Sequence, residues 1–203
     1  MSTQYKGIGF DYGGVLKGQP SVVFLDAICE LLGITYHEYQ MAYYRHNRPL
    51  NRGEISWDML WTLFLDDIGQ PERLQEVLEL FRSSEPTELN EKLLLLVDRL
   101  RDMGYKVGLL SNNTHQAAEK MRHEGLAAHF DVMHISAETG FVKPENESFI
   151  YLAQKMGVKI SELVFVDDSN KSLSTAADIG YHPIHYTSYS NLTKQLEQLG
   201  ILD

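Results

Sequence analysis

The sequence predicts an α/β fold: a doubly wound, Rossmann-like parallel sheet with a bundle of helices set into it. Two observations carry the prediction. Short apolar runs alternate with longer segments of helical period across short links, which is the pattern of a parallel sheet covered on both faces. Between about Lys17 and Glu85 that rhythm stops, and several helical patterns follow one another with no convincing strand. A chain of 203 residues suits one generous domain carrying an insertion, and it buries a core without disulfides or structural metal.

Each element has its own signal. Residues 6–10 read as the first strand. Inside the insert, 22–32 places Val22, Leu25, Ile28 and Leu32 on one face, with Cys29 as a packed thiol there. A second helix, 37–46, is rich in tyrosine; Tyr36, Tyr39, Tyr43 and Tyr44 recur at helical spacing and are expected to pack. Ser56 caps a helix over 57–68. The segment 71–81 has Pro71 in its first turn and aligns Leu74, Val77, Leu78 and Phe81. Thr87 is placed to cap a helix running to about Met103, with Gly104 as its stop. Strands are expected at 105–110, 131–135, 163–166 and, weakly, 182–185. Helices over 115–124, 145–156 and 170–179 end at Gly125, Gly157 and Gly180.

Composition narrows the function classes. Hydrophobic residues at 43% and charged residues at 23% exclude a wholly disordered chain. Eighteen Lys and Arg against twenty-eight Asp and Glu give a formal charge of −10. A net anion is repelled by nucleic acid and by anionic lipid, so neither is an expected partner; small anionic substrates need only a local change of sign. A lone cysteine forms no internal disulfide, and no apolar run reaches membrane-spanning length. Both suit a soluble, cytoplasmic protein.

In open parallel sheets ligands bind beyond the carboxyl ends of the strands. Asp11 follows the first strand in GFDYGGVL, Ser111, Asn112 and Asn113 follow the second in GLLSNNT, and Asp167 and Asp168 follow the fourth in VFVDDSN. The loop after the third strand leads to Lys143 in GFVKP. Carboxylates that converge repel by about 4 kcal/mol at 4 Å in a surface dielectric, so they bind a cation or titrate upward. All-oxygen ligands point to Mg²⁺, and no His or Cys cluster with zinc spacing competes. An aspartate beside Mg²⁺ and lysine is a plausible nucleophile toward phosphorus. Other chemistries lack their signatures: Gly7 and Gly9 lie within the strand and make no dinucleotide fingerprint, no phosphate loop ends in Gly-Lys-Ser/Thr, and Ser111 has no Gly-x-Ser-x-Gly setting.

Asp11 in FDYGGVL, Ser111 in LLSNN, Lys143 in VKPE and Asp167-Asp168 in FVDD stand in the order found in the haloacid-dehalogenase-like hydrolase superfamily, which the chain resembles. The resemblance covers 1–16 and 86–203 as the α/β core and makes 17–85 a helical cap. It implies that Asp11 forms an aspartyl-phosphate, that Ser111 with Asn112 binds the phosphoryl group, and that Lys143 balances charge. Asp11, Asp168, the backbone carbonyl of Gly13 and Asp167, as ligand or close behind, would hold Mg²⁺. RGEIS at 52–56 and the Asp-x-Gly-Gly start look most like small sugar-phosphate phosphatases and the epoxide-hydrolase N-terminal-domain branch.

Two positions depart from the family's pattern. Gly13 stands where its phosphatases usually carry a second Asp as general acid, a loss of typically ~10²–10⁴-fold in rate. Ser172 stands where Asn or Asp is common. His115 is another available proton donor. Arg45, His46, Arg48 and Arg52 form a basic stretch without an acid; a solvated face laced with salt bridges is the commoner arrangement, and the functional one has an arginine, Arg45 foremost, clamping the substrate. The expected function is Mg²⁺-dependent hydrolysis of a small phosphorylated metabolite, with a sugar phosphate favoured. The alternatives are 2-haloacid dehalogenation by the same aspartate without metal, and a phosphate-binding regulatory protein with little turnover.

Overall fold

The strands β1 (Gly7–Phe10), β2 (Lys106–Ser111), β3 (Val132–Ile135), β4 (Leu163–Asp167) and β5 (His182–His185) form one all-parallel sheet in the order β3-β2-β1-β4-β5. The computed structural model describes residues 3–18, 22–84 and 88–203. Among the described residues, four α-helices follow β1 before the chain re-enters the sheet domain at Leu89: α1 (Val22–Leu32), α2 (Tyr36–Asn51), α3 (Trp57–Asp67) and α4 (Leu74–Ser83). The others are α5 (Glu91–Asp102), α6 (His115–His123), α7 (Ser136–Thr139), α8 (Asn146–Met156), α9 (Ala176–Ile179) and α10 (Tyr189–Gln198). The doubly wound α/β class is as expected.

Both faces of the sheet are covered, which is why its strands read as apolar runs rather than alternating ones. On one face Ile8, Phe10, Val107, Leu109, Val164 and Val166 pack with Leu96 and Leu100 of α5, Met121 of α6 and Leu192 and Leu196 of α10. On the other, Leu110 and Phe165 pack with Phe149, Leu152 and Met156 of α8. Glycine in the central strands lets α8 come close. A Cβ on Gly9 would stand 2.9 Å from a Leu152 methyl, and one on Gly108 would stand 2.7 Å from the Met156 sulfur.

The insert has a core of its own, built from Phe24, Ile28, Tyr39, Leu60, Trp61, Phe64 and Val77, with Cys29 packed at its edge. Lys17 and Leu89 bridge antiparallel where the chain leaves and re-enters the sheet domain, and the Asn90 N–H bonds the Leu16 carbonyl at 2.8 Å. Ser56 caps α3 as expected, accepting from the Met59 N–H.

Local chemistry explains where the elements differ from expectation. Helix α2 starts at Tyr36 because Thr35 and Glu38 form a capping box, and it runs on through Pro49 to Asn51. The segment after Pro71 opens as a short 3₁₀ turn, Pro71–Arg73, before α4 begins. Thr87 and the Val22 side chain lie outside the described residues; α5 starts later than expected, at Glu91, capped by Asn90. The helix expected over 170–179 shrinks to α9, because Asp167 accepts from the Ser169 N–H at 2.8 Å and Ser169 accepts from the Ser172 N–H at 3.3 Å. Those side chains hold the backbone in turns instead. Of the tyrosine stripe, Tyr39 is buried, but Tyr36 and Tyr44 are exposed, a correction to the expected packing. Helix α10, capped by Ser188, has no counterpart among the expected elements.

Candidate active site

Strand β1 is central, and the chain turns to β2 on one side and returns to β4 on the other. The crevice between β1 and β4 is therefore the switch point of the sheet. Phe10 pairs with Val166, and the Asp11 N–H bonds the Val166 carbonyl at 2.8 Å, so Asp11 and Asp167 emerge side by side there. Lys143 reaches in from the segment after α7. Its Nζ donates to Asp11 Oδ1 and to Asp167 Oδ2, each at 2.6 Å, and lies 5.4 Å from the centre of the Phe165 ring. All three residues are buried.

Burial and repulsion shape the charges. Desolvation drives the Asp11 carboxyl up to about 6; Lys143 pulls it down and Asp167 adds to the rise. Burial alone would lower the Lys143 ammonium, yet Asp11 and Asp167 hold it above the usual lysine value. The ion triad thus keeps its lysine charged while the Asp11 carboxyl is raised to about 6. Asp168 is half-buried, and the His185 Nε2–H bonds its backbone carbonyl at 2.9 Å. Carboxylate oxygens of Asp11, Asp167 and Asp168 lie within 4.8 Å of one another, the one such group found among the described residues. Three convergent oxygen donors with high negative charge fit a hard divalent cation such as Mg²⁺.

Ser111 ends β2, beside β1, and is buried. Gly13 lies in the turn closed by the Gly14 N–H on the Lys17 carbonyl at 2.6 Å, and open space extends 4 Å around the position a Cβ would take. The Asn112 side chain is used at both ends on the Lys143 backbone, its amide donating to the carbonyl at 2.9 Å and accepting from the N–H at 2.8 Å. Asn112 thereby fixes the segment that delivers the ammonium.

Arg45 does not reach the carboxylates. It pairs with Asp67 of α3 at 3.0 Å, beside His46 on the same carboxylate at 2.8 Å. The arginines that do meet the core are Arg48 and Arg52, both on Glu145, two residues past Lys143. Glu145 had a sequence signal, as the acid of VKPE facing a basic stretch that lacks acids of its own. The ammonium of Lys171, in the turn that follows Asp168, stands 6.0 Å from the centre of the Tyr44 ring.

Fold and site together define a hydrolase of the parallel α/β type, organised around an aspartate at the end of the first strand. The chain belongs to the haloacid dehalogenase-like hydrolases, whose family model matches residues 5–180. A GMP/IMP nucleotidase of Escherichia coli is 31% identical over 93 residues, covering 45% of this chain and 42% of that protein. The chain thus spans less than half the length of this curated relative. Among solved structures, a predicted HAD-like family hydrolase from Porphyromonas gingivalis aligns with a TM-score of 0.72 at 23% identity, covering 97% of this chain and 98% of that one. A HAD family enzyme from Bacteroides thetaiotaomicron, in complex with magnesium and inorganic phosphate, aligns with a TM-score of 0.67 at 19% identity over 93% and 98% of the two chains. At these identities the likeness concerns the fold. No helix among the described residues is long and apolar enough to cross a membrane.

Proposed function

We propose that the protein is a Mg²⁺-dependent phosphatase that hydrolyses a small phosphorylated metabolite, a sugar phosphate in preference, with Asp11 as nucleophile. The observation that carries this reading is the buried Lys143 ammonium bridging Asp11 and Asp167 at the β1/β4 switch point. A carboxylate attacks a phosphate dianion only where positive charge offsets both partners. Asp11, Asp168, Asp167 and the Gly13 carbonyl would hold Mg²⁺, which supplies further charge neutralisation and polarises the phosphoryl oxygens when bound.

In the first step a free oxygen of Asp11 bonds to phosphorus as the ester P–O bond breaks, and the leaving oxygen keeps the electron pair. Lys143 holds the other oxygen of Asp11 and keeps the nucleophile ionised and aimed. Ser111 donates to the phosphoryl group. In the second step water attacks phosphorus, the Asp11–phosphorus link breaks, a proton passes to solvent, and inorganic phosphate leaves. Gly13 offers no proton to the leaving group, which favours substrates with good leaving groups, such as sugar 1-phosphates and acyl phosphates. Residues 17–85 act as a cap that covers the site and selects the substrate. The lone Cys29 is consistent with a cytoplasmic protein.

A second reading rests on Gly13: a phosphate-binding protein with little turnover. The test is a screen of phosphorylated metabolites with and without Mg²⁺, beside an Asp11→Asn control. Mg²⁺-dependent release of phosphate that the control lacks supports the first reading. Binding of Mg²⁺ and a phosphate analogue without turnover across the panel favours the second.

A further inference from the structure

Four contacts seat the helical insert on the sheet domain next to the site, and they come from one short stretch, residues 48–53. Arg48 Nη2 meets Glu145 Oε1 at 2.5 Å. Arg52 Nη2 reaches both Glu145 oxygens, at 2.9 and 3.0 Å. The Asn51 carbonyl accepts from Ser136 Oγ at 2.5 Å, where α7 begins. Gly53 follows at φ +72, so close to the core that a Cβ would stand 2.9 Å from the Ala137 carbonyl and 2.7 Å from His115 Nε2. Of these contacts, those on Glu145 are the charged ones and the nearest in sequence to the site.

Glu145 is held stiffly. Its N–H bonds the Val142 carbonyl at 2.8 Å, and its own carbonyl accepts from Ser148 Oγ at 2.8 Å at the start of α8. It occupies the N-cap position of α8 without a side-chain cap bond, so its carboxylate is spent on the two arginines rather than on the helix. Burial would raise that carboxyl, yet Arg48 and Arg52 hold it below the usual carboxylate range. Two residues earlier, Asn112, the residue after β2, clamps the Lys143 backbone. The segment 142–145 is thus fastened on one side by the sheet and on the other by the insert, with the ammonium between.

We infer that Glu145 is a positioning residue: through Arg48 and Arg52 it ties the seating of the helical insert to the placement of the Lys143 ammonium between Asp11 and Asp167. It touches neither substrate nor the reacting carboxylates, and it acts through Lys143. The inference rests on the phosphatase reading for its kinetic consequence but not for its structural one. A rival arrangement has different consequences. Arg52 Nε is buried with no hydrogen-bond partner, and if Arg52 served the substrate directly, Glu145 would compete with that substrate for it.

The test uses the full chain with Mg²⁺ and para-nitrophenyl phosphate, in Glu145→Ala, Glu145→Gln, Arg52→Ala, the double Ala variant and the swap Glu145→Arg/Arg52→Glu. Each single Ala variant is expected to lose about tenfold in kcat with KM within about twofold, and the double variant to lose no more than the worse single. The swap recovers part of the loss. Glu145→Gln keeps the shape of the side chain, so a fall in kcat there reads the charge and not a folding defect. Amide exchange is expected to speed up in both 48–54 and 142–146 in the Glu145→Ala protein. Three results overturn the inference: losses that add in the double variant, a KM that falls in Glu145→Ala, or exchange unchanged in either segment. Absent turnover by the wild-type protein would sink the phosphatase reading alone, because exchange still decides whether Glu145 ties the two segments.

Discussion

Replacing Lys143 by Met removes the one cation buried between Asp11 and Asp167, while keeping most of the side chain's volume. Each contact is 2.6 Å long, which at an effective dielectric of 20 corresponds to about 6 kcal/mol of attraction. Much of that offsets the cost of burying the charges, and removing one partner of such a pair leaves a net loss of about 3–5 kcal/mol. For a chain of this size that is a fall in melting temperature of about 6–20 °C. The loss depends on pH. With Lys143 in place the folded-state pKa of Asp11 is already raised from 3.8 to about 6. A carboxyl raised in this way contributes stability that is fully present below its ordinary value and is lost as pH rises through the folded value. Without the lysine that value climbs further, so the metal-free variant is closest to wild type at pH 5 and furthest from it at pH 8. Added Mg²⁺ narrows the gap at pH 8 by supplying the missing charge. Thermal unfolding at the two pH values, with and without Mg²⁺, measures all of this. A deficit that is absent, or equal at pH 5 and pH 8, would refute the reasoning.

Gly13→Asp has open space around its Cβ, and steady-state kinetics on an alkyl phosphate should show kcat rising about a hundredfold as the new carboxyl protonates the leaving group. Gly53→Ala forces a side chain into φ +72 against the Ala137 carbonyl; urea titration should show a loss of about 1–3 kcal/mol. Asn112→Ala strips both side-chain bonds from the Lys143 backbone, and a fall in kcat with KM little changed is expected, read from initial rates against substrate concentration.

The strands and the carboxylate–lysine centre were legible in the sequence for one physical reason. A strand buried on both faces must be apolar from end to end, so the first polar residue after it marks the ligand-binding edge of the sheet. Asp11, Ser111 and Asp167 are found that way. What the sequence hid is decided by pairing across distance. Arg45, Arg48 and Arg52 look alike in a basic stretch, yet Asp67 takes the first and Glu145 takes the other two. That the Asn112 side-chain amide closes on the Lys143 backbone is likewise invisible in the sequence. The helix expected after Asp168 fails because Asp167 and Ser169 bond the backbone locally, a competition that helical periodicity does not register.

The central claim is that Asp11 becomes covalently phosphorylated. Rapid acid quench of the full chain with Mg²⁺ and an acyl or aryl phosphate, followed by peptide mass mapping, tests it most directly. The account predicts a phosphoryl group on the peptide carrying Asp11, absent from the Asp11→Asn protein. Phosphate release with no label at Asp11, continuing undiminished in Asp11→Asn, would contradict it.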